Sequence, residues 1–147
     1  MGSMNYSKRP PRPAEILLVE DDEGDALLTE KALRKGAISF RLHLAENGTD
    51  ALAFLTKSSP RPDLILLDLN LPGMHGRDVL AQVKQHADWR RIPVVILTSS
   101  SAESDILSTY NLFCNAYMVK PGDPKVFERI TGSLEDFWFQ TAELAPR

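Results

Sequence analysis

The sequence predicts an α/β domain with a parallel sheet, and three features carry that prediction. Short apolar runs alternate with helix-length amphipathic stretches, turn residues separate them, and three of the runs are apolar throughout. A strand covered by helices on both faces reads in this way, because neither face meets water. The alternation repeats as five βα units.

The first strand falls at residues 16–19. The helix after it has Leu28 and Ala32 on its buried face, with Gly36 to end it. In the second strand Phe40, Leu42 and Leu44 alternate with Arg41 and His43, which gives it one wetter side and an edge position. Asn47-Gly48 turns the chain into a second helix, buried through Leu52 and Leu55. The third strand is 64–67 and its helix buries Val79 and Val83. After the fourth strand, 94–97, Ser100 and Glu103 are spaced as a capping box for a helix buried through Ile106 and Tyr110. Residues 116–119 form the fifth strand. Asp123 before Pro124 is an N-cap with proline at the first helical position, and the last helix turns Phe127, Ile130 and Leu134 inward.

The 147 residues suit one domain, expected over 14–147 with an extended C-terminal helix, and leave no room for a second. Residues 1–13 carry three prolines and read as a disordered tail that opens on a Met-Gly-Ser expression scar ahead of a native Met4. Twenty acidic against 17 basic residues give a net charge of -3, and the basic residues form no stripe that could track nucleic-acid phosphates. One cysteine, Cys114, excludes an internal disulfide. No apolar run has the length of a membrane span or signal peptide, so the expected compartment is the cytoplasm.

Open parallel sheets bind ligands beyond the carboxyl ends of their strands. There the sequence places Glu20-Asp21-Asp22, Asp68-Leu69-Asn70, Thr98-Ser99-Ser100 and Lys120-Pro121. Clustered carboxylates resist ionising together unless a cation holds them. Oxygen ligands without a histidine or cysteine pair favour Mg²⁺ or Mn²⁺, which keeps room for a phosphate oxygen. The clustered strand-end carboxylates and one backbone carbonyl, that of Asn70, are the expected ligands. Asp68 is then the nucleophile that receives a phosphoryl group, Lys120 binds a phosphoryl oxygen, and the Thr98 hydroxyl donates to another.

Leu17-Leu18-Val19-Glu20-Asp21, Leu66-Leu67-Asp68-Leu69-Asn70-Leu71-Pro72-Gly73-Met74-His75-Gly76, Val95-Ile96-Leu97-Thr98-Ser99 and Ala116-Tyr117-Met118-Val119-Lys120-Pro121 stand in order on four predicted strands. Together they resemble the receiver domains of two-component response regulators. The resemblance implies a flavodoxin-like fold with sheet order 2-1-3-4-5, Glu20 and Asp21 as the acidic pair that holds the metal with Asp68, Thr98 and Tyr117 as switch residues, and a cis peptide between Lys120 and Pro121. For Tyr117 a half-buried strand tyrosine with no switching role is an equal reading. Glu20 where aspartate is frequent, His75 in the loop and Gly122 after Pro121 depart from the pattern and bear on rates and metal affinity. Glu20-Asp21-Asp22 with Asp25 nearby, Thr98-Ser99-Ser100 and Leu134-Glu135-Asp136-Phe137-Trp138-Phe139 resemble, more narrowly, the stand-alone regulators of bacterial phytochromes. That likeness implies a phosphohistidine donor on a light-sensing histidine kinase.

His43 and His86 read as surface residues, His75 as a solvated loop residue and Cys114 as an inert small residue. The aromatic surface of the last helix exceeds one inward stripe. It is expected to be covered in a homodimer through Ile130, Leu134, Phe137 and Trp138, the other reading being cover by residues 141–147. The expected function is a phosphorylated signalling switch, with output through the fourth helix, fifth strand and fifth helix. A phosphate sink or relay, and a non-phosphorylated interaction module, are the alternatives. An aspartate-nucleophile hydrolase of the haloacid dehalogenase type would want a second aspartate where Asn70 stands, and a flavin phosphate would meet the acids Glu20 and Asp21.

Overall fold

The computed structural model describes residues 13–36, 38–57 and 59–146; the expected tail, but for its last residue, lies outside them. Five strands, β1 (Ala14–Val19), β2 (Phe40–Ala45), β3 (Leu64–Leu67), β4 (Val94–Thr98) and β5 (Ala116–Val119), alternate with helices α1 (Glu23–Arg34), α2 (Gly48–Thr56), α3 (Gly76–Gln85), α4 (Glu103–Asn111) and α5 (Pro124–Glu135). All strand pairs are parallel and the order is β2-β1-β3-β4-β5, as the resemblance implied.

Successive side chains of a strand point to opposite faces, and here each face meets its own helices. Leu17, Val19, Ile65, Leu67 and Ile96 pack with Ala51, Leu55, Val79 and Val83 of α2 and α3. Ile16, Leu18, Leu64, Leu66 and Val95 pack with Ala26 and Leu33 of α1 and Leu134 of α5. Each buried Val, Leu or Ile side chain among these contributes roughly 1.5–3 kcal/mol. The expected cap Asp123 is formed by acceptance from the N–H of Lys125, and Asn47, read from the sequence as a turn residue, caps α2 by accepting from the N–H of Asp50.

Several local expectations fail. Ser100 makes no capping box with Glu103; its hydroxyl goes to Asp105 Oδ2 at 2.6 Å, and the N-cap of α4 is Ala102. The buried residue of α4 is Thr109 and not Tyr110, which is 47% exposed, because the Thr109 hydroxyl is satisfied by its own helix carbonyls at Asp105 and Ile106. On β2, Leu44 is 49% exposed while His43 is half-buried against Glu15. The cis X-Pro bond among the described residues is Ser59–Pro60, so Lys120–Pro121 does not take the cis form; trans is the cheaper isomer by about 0.5–1 kcal/mol.

The C-terminal helix sets how much of the expected dimer face its own chain covers. After α5 the chain continues as a π-helical segment, Asp136–Thr141, in which Ala142 N donates to Phe137 O, five residues back. The wider turn brings Phe139, five residues beyond Leu134, onto the core side. Leu134 and Phe139 are therefore buried, with Trp138 and Leu144 packed against the same cluster. Leu134 is covered by its own chain, Ile130 is half-buried, and of the four residues expected at a dimer face Phe137 is the one left exposed, at 52%.

Candidate functional site

The carboxyl ends of β1, β3, β4 and β5 place the site. The N–H of Glu20 donates to Ala45 O and that of Asp68 to Val19 O, so both acids ride on the sheet ladder just past the last strand residues. Asp22 caps α1 by accepting from Asp25 N at 2.8 Å, which turns its side chain away from the cluster. The β3 to α3 loop closes over Asp68 through two glycines. Gly73 has φ of +73°, and a Cβ at Gly76 would lie 2.3 Å from the Asp68 carbonyl oxygen. His75 is not a free loop residue: its Nδ1 accepts from Arg77 N and caps α3.

Carboxylate oxygens of Glu20, Asp21 and Asp68 lie within 4.8 Å of one another. Lys120, carried by β5 and anchored through its N–H to Thr98 O, places its ammonium among Glu20, Asp25 Oδ2 at 2.9 Å and Asp68 Oδ2 at 3.1 Å. The other Asp68 oxygen accepts from Asn70 N at 3.2 Å. One cation among three carboxylates cannot hold all of them ionised in a site this buried. Burial pushes the Glu20 carboxyl up to about 7, with Asp68 adding to the push and Lys120 opposing it. Burial also raises Asp68, but Lys120, the Thr98 hydroxyl and the Asn70 N–H together outweigh it and hold Asp68 below the usual carboxylate range. Burial lowers Lys120, and its three carboxylates overcome that and raise it well above an ordinary lysine.

Thr98 Oγ1 is buried without a hydrogen-bond partner within normal limits, although it lies close enough to influence Asp68. Buried hydroxyls are rarely left so, and an oxygen-rich ligand on Asp68 would give it one. Tyr117 is half-buried and its hydroxyl donates to the Ser100 carbonyl at 2.8 Å, across the loop that follows Thr98. The donor set is all oxygen and negatively charged, which fits a hard divalent ion and the neutralisation it supplies to phosphoryl oxygens. Asp25 was legible only as part of a family likeness. Its signal was positional: an acid in the first turn of a helix that starts straight after a strand reaches back over that strand's end.

A parallel 2-1-3-4-5 sheet with an acidic cluster, a threonine and a lysine at its carboxyl end defines a signalling receiver. The chain belongs to the response regulator receiver domain family, whose model matches residues 16–131. It is 42% identical over 146 residues to response regulator Rcp1 of Synechocystis sp., covering 96% of this chain and 98% of that protein. Among solved structures it is similar to the phosphorylated cyanobacterial phytochrome response regulator RcpA, with TM-score 0.88 and 38% identity over 92% of this chain and 100% of that one. It is similar also to the Mn²⁺-bound form of Rcp1, with TM-score 0.86 and 42% identity over 91% and 100% of the two chains.

Proposed function

We propose that this protein is a phytochrome-linked response regulator that accepts a phosphoryl group on Asp68 from the phosphohistidine of a sensor histidine kinase. The observation that carries the reading is Asp68 itself. It is buried at the end of β3, below its ordinary pKa, 3.1 Å from the Lys120 ammonium and within a carboxylate group fit for a metal. The likeness to RcpA and Rcp1 supports the phytochrome-type partner.

An ionised Asp68 oxygen attacks the phosphorus in line. The P–N bond of phosphohistidine breaks and its electron pair returns to the ring nitrogen, which takes up a proton as neutral imidazole, while Asp68 becomes an acyl phosphate. Glu20, Asp21, Asp68 and the Asn70 carbonyl would hold Mg²⁺ or Mn²⁺, which when bound disperses charge on the phosphoryl oxygens. Lys120 binds one of those oxygens and Thr98 Oγ1 donates to another. Thr98 and Tyr117 then shift the loop at Ser100, and with it the face of α4, β5 and α5, where Leu107, Tyr110 and Val119 are exposed to a second copy or a downstream protein. The setting is cytoplasmic, and no described helix is long and apolar enough to cross a membrane.

The test is phosphotransfer from a phytochrome-type histidine kinase labelled on histidine. Label is expected to move to this protein with Mg²⁺ present and to stay on the kinase when the ion is chelated. Transfer at the same rate in chelator, or none from any such kinase, would overturn the reading.

A further inference from the structure

Lys120 has three N–H donors, and Glu20, Asp25 and Asp68 each accept one. The three acids differ in what else they do. Glu20 and Asp68 belong to the group that could hold a metal ion, and Asp68 is the acceptor; Asp25 lies outside that group. Glu20 is tied further by the N–H of Asp22, and Asp68 by that of Asn70, whereas the carboxylate of Asp25 is 43% exposed and directed at Lys120. The backbone of Asp25 is fixed from both sides. Its N–H donates to the Asp22 cap and its carbonyl accepts from the Thr29 hydroxyl at 2.8 Å, so the carboxylate is presented from a rigid first turn of α1.

We infer that Asp25 is a positioning residue for phosphoryl acceptance: it keeps the Lys120 ammonium over Asp68 while Glu20 and Asp68 are engaged by metal and phosphoryl group. The inference rests on the proposed acceptor role of Asp68. A lysine side chain loses much rotamer freedom when it is held. With two of its three acids drawn to other partners, the remaining one decides whether the ammonium stays aimed at the incoming oxygens. A charge on the helix turn is not enough for that; an oxygen acceptor at this position is.

Asp25→Asn keeps an acceptor oxygen and loses the charge, Asp25→Ala loses both, and Glu23→Gln removes a charge from the same exposed turn as a control. With acetyl phosphate and Mg²⁺, the rate at saturating donor is expected to fall about tenfold in Asp25→Ala, with Asp25→Asn and Glu23→Gln within about twofold of wild type. A second readout uses protein saturated with Mg²⁺ and beryllofluoride, in which Glu20 and Asp68 are engaged and Asp25 is the acid left to hold the lysine. The Lys120 side-chain ammonium resonance is expected to be resolved in wild type and Asp25→Asn, and lost to fast exchange in Asp25→Ala. If Asp25→Ala keeps both the rate and the resonance, or if the Asn and Ala variants fall together, the positioning role is overturned while the acceptor role stands. If wild type is not modified at all, the acceptor role fails and this inference falls with it.

Discussion

Two glutamates, one near the start of β1 and one just past its end, show how this molecule divides its charge. Glu15 and Glu20 lie five residues apart at opposite ends of the strand, and both are buried, at 3% and 2% exposure. Glu15, at the amino end of the sheet, has its own partners: the His43 ring at Nε2, 2.7 Å away, and the Arg41 guanidinium at 3.4 Å, both from the neighbouring β2. Its backbone exchanges two further bonds with Asp63, whose Oδ2 accepts from Glu15 N and whose N–H donates to Glu15 O. Glu20, at the carboxyl end, shares one lysine with two other acids and carries a raised pKa. The amino end is settled by its own residues. The carboxyl end is left short of positive charge, and that shortage is what makes it receptive to a divalent ion.

The largest effect that would break this comparison is expected from Lys120→Ala. Removing the one cation leaves three carboxylates facing each other, and loss of a buried partner of this kind costs about 3–5 kcal/mol. Urea unfolding without metal reads that loss, and added Mg²⁺ should return a large part of it. No change in stability would mean that the carboxylates do not interact as the distances imply.

Next comes pH. The folded pKa of Glu20, about 7, lies above the ordinary 4.5, so the native protein binds the extra proton between those values. Stability from this group is full below pH 4.5 and declines as pH rises toward 7, by on the order of 3 kcal/mol in metal-free protein. Asp68, shifted down, works in the opposite sense and matters only in stronger acid, where its contribution is lost as pH falls. Glu20→Gln should flatten the decline between pH 5 and 7, and a slope that survives the substitution would assign it elsewhere.

Glu15→Ala sharpens the contrast from the other end. It should cost about 2 kcal/mol of stability, mainly through the lost bond between the buried carboxylate and the His43 ring, and leave the acetyl phosphate rate of the distant site unchanged. A slowed rate would show that the two ends are coupled. The smallest effect is Thr98→Val, which removes a buried hydroxyl with no partner in this state. Stability should rise by about 1 kcal/mol while the loop of Ser100 no longer responds to beryllofluoride, as read by amide chemical shifts.

The fold was legible because strands covered on both faces are written as unbroken apolar runs; residues 64–67 were read from the sequence with the same bounds as β3. The strand ends that carry the acidic cluster and Lys120 were legible for the same reason, since polar residues that break such runs mark where the sheet stops. Other features depended on partners that spacing does not reveal. His43 is drawn inward by Glu15 from another strand, and Ser100 finds Asp105 and not Glu103. The helical period of the C-terminal segment fails where the chain widens into a π-helix, so Phe139 lies in the core and Phe137 in solvent. Asp25 was read only as part of a family likeness because an acid in a first helical turn is ordinary; what sets it apart is the Lys120 ammonium 2.9 Å away.

Intact mass measurement after treatment with acetyl phosphate and Mg²⁺ tests the central claim most directly, with wild type and Asp68→Asn compared side by side. The account predicts that wild type gains the mass of one phosphoryl group, labile in hydroxylamine as an acyl phosphate is, and that Asp68→Asn gains none. An equal gain in both proteins, or none in wild type, would contradict it.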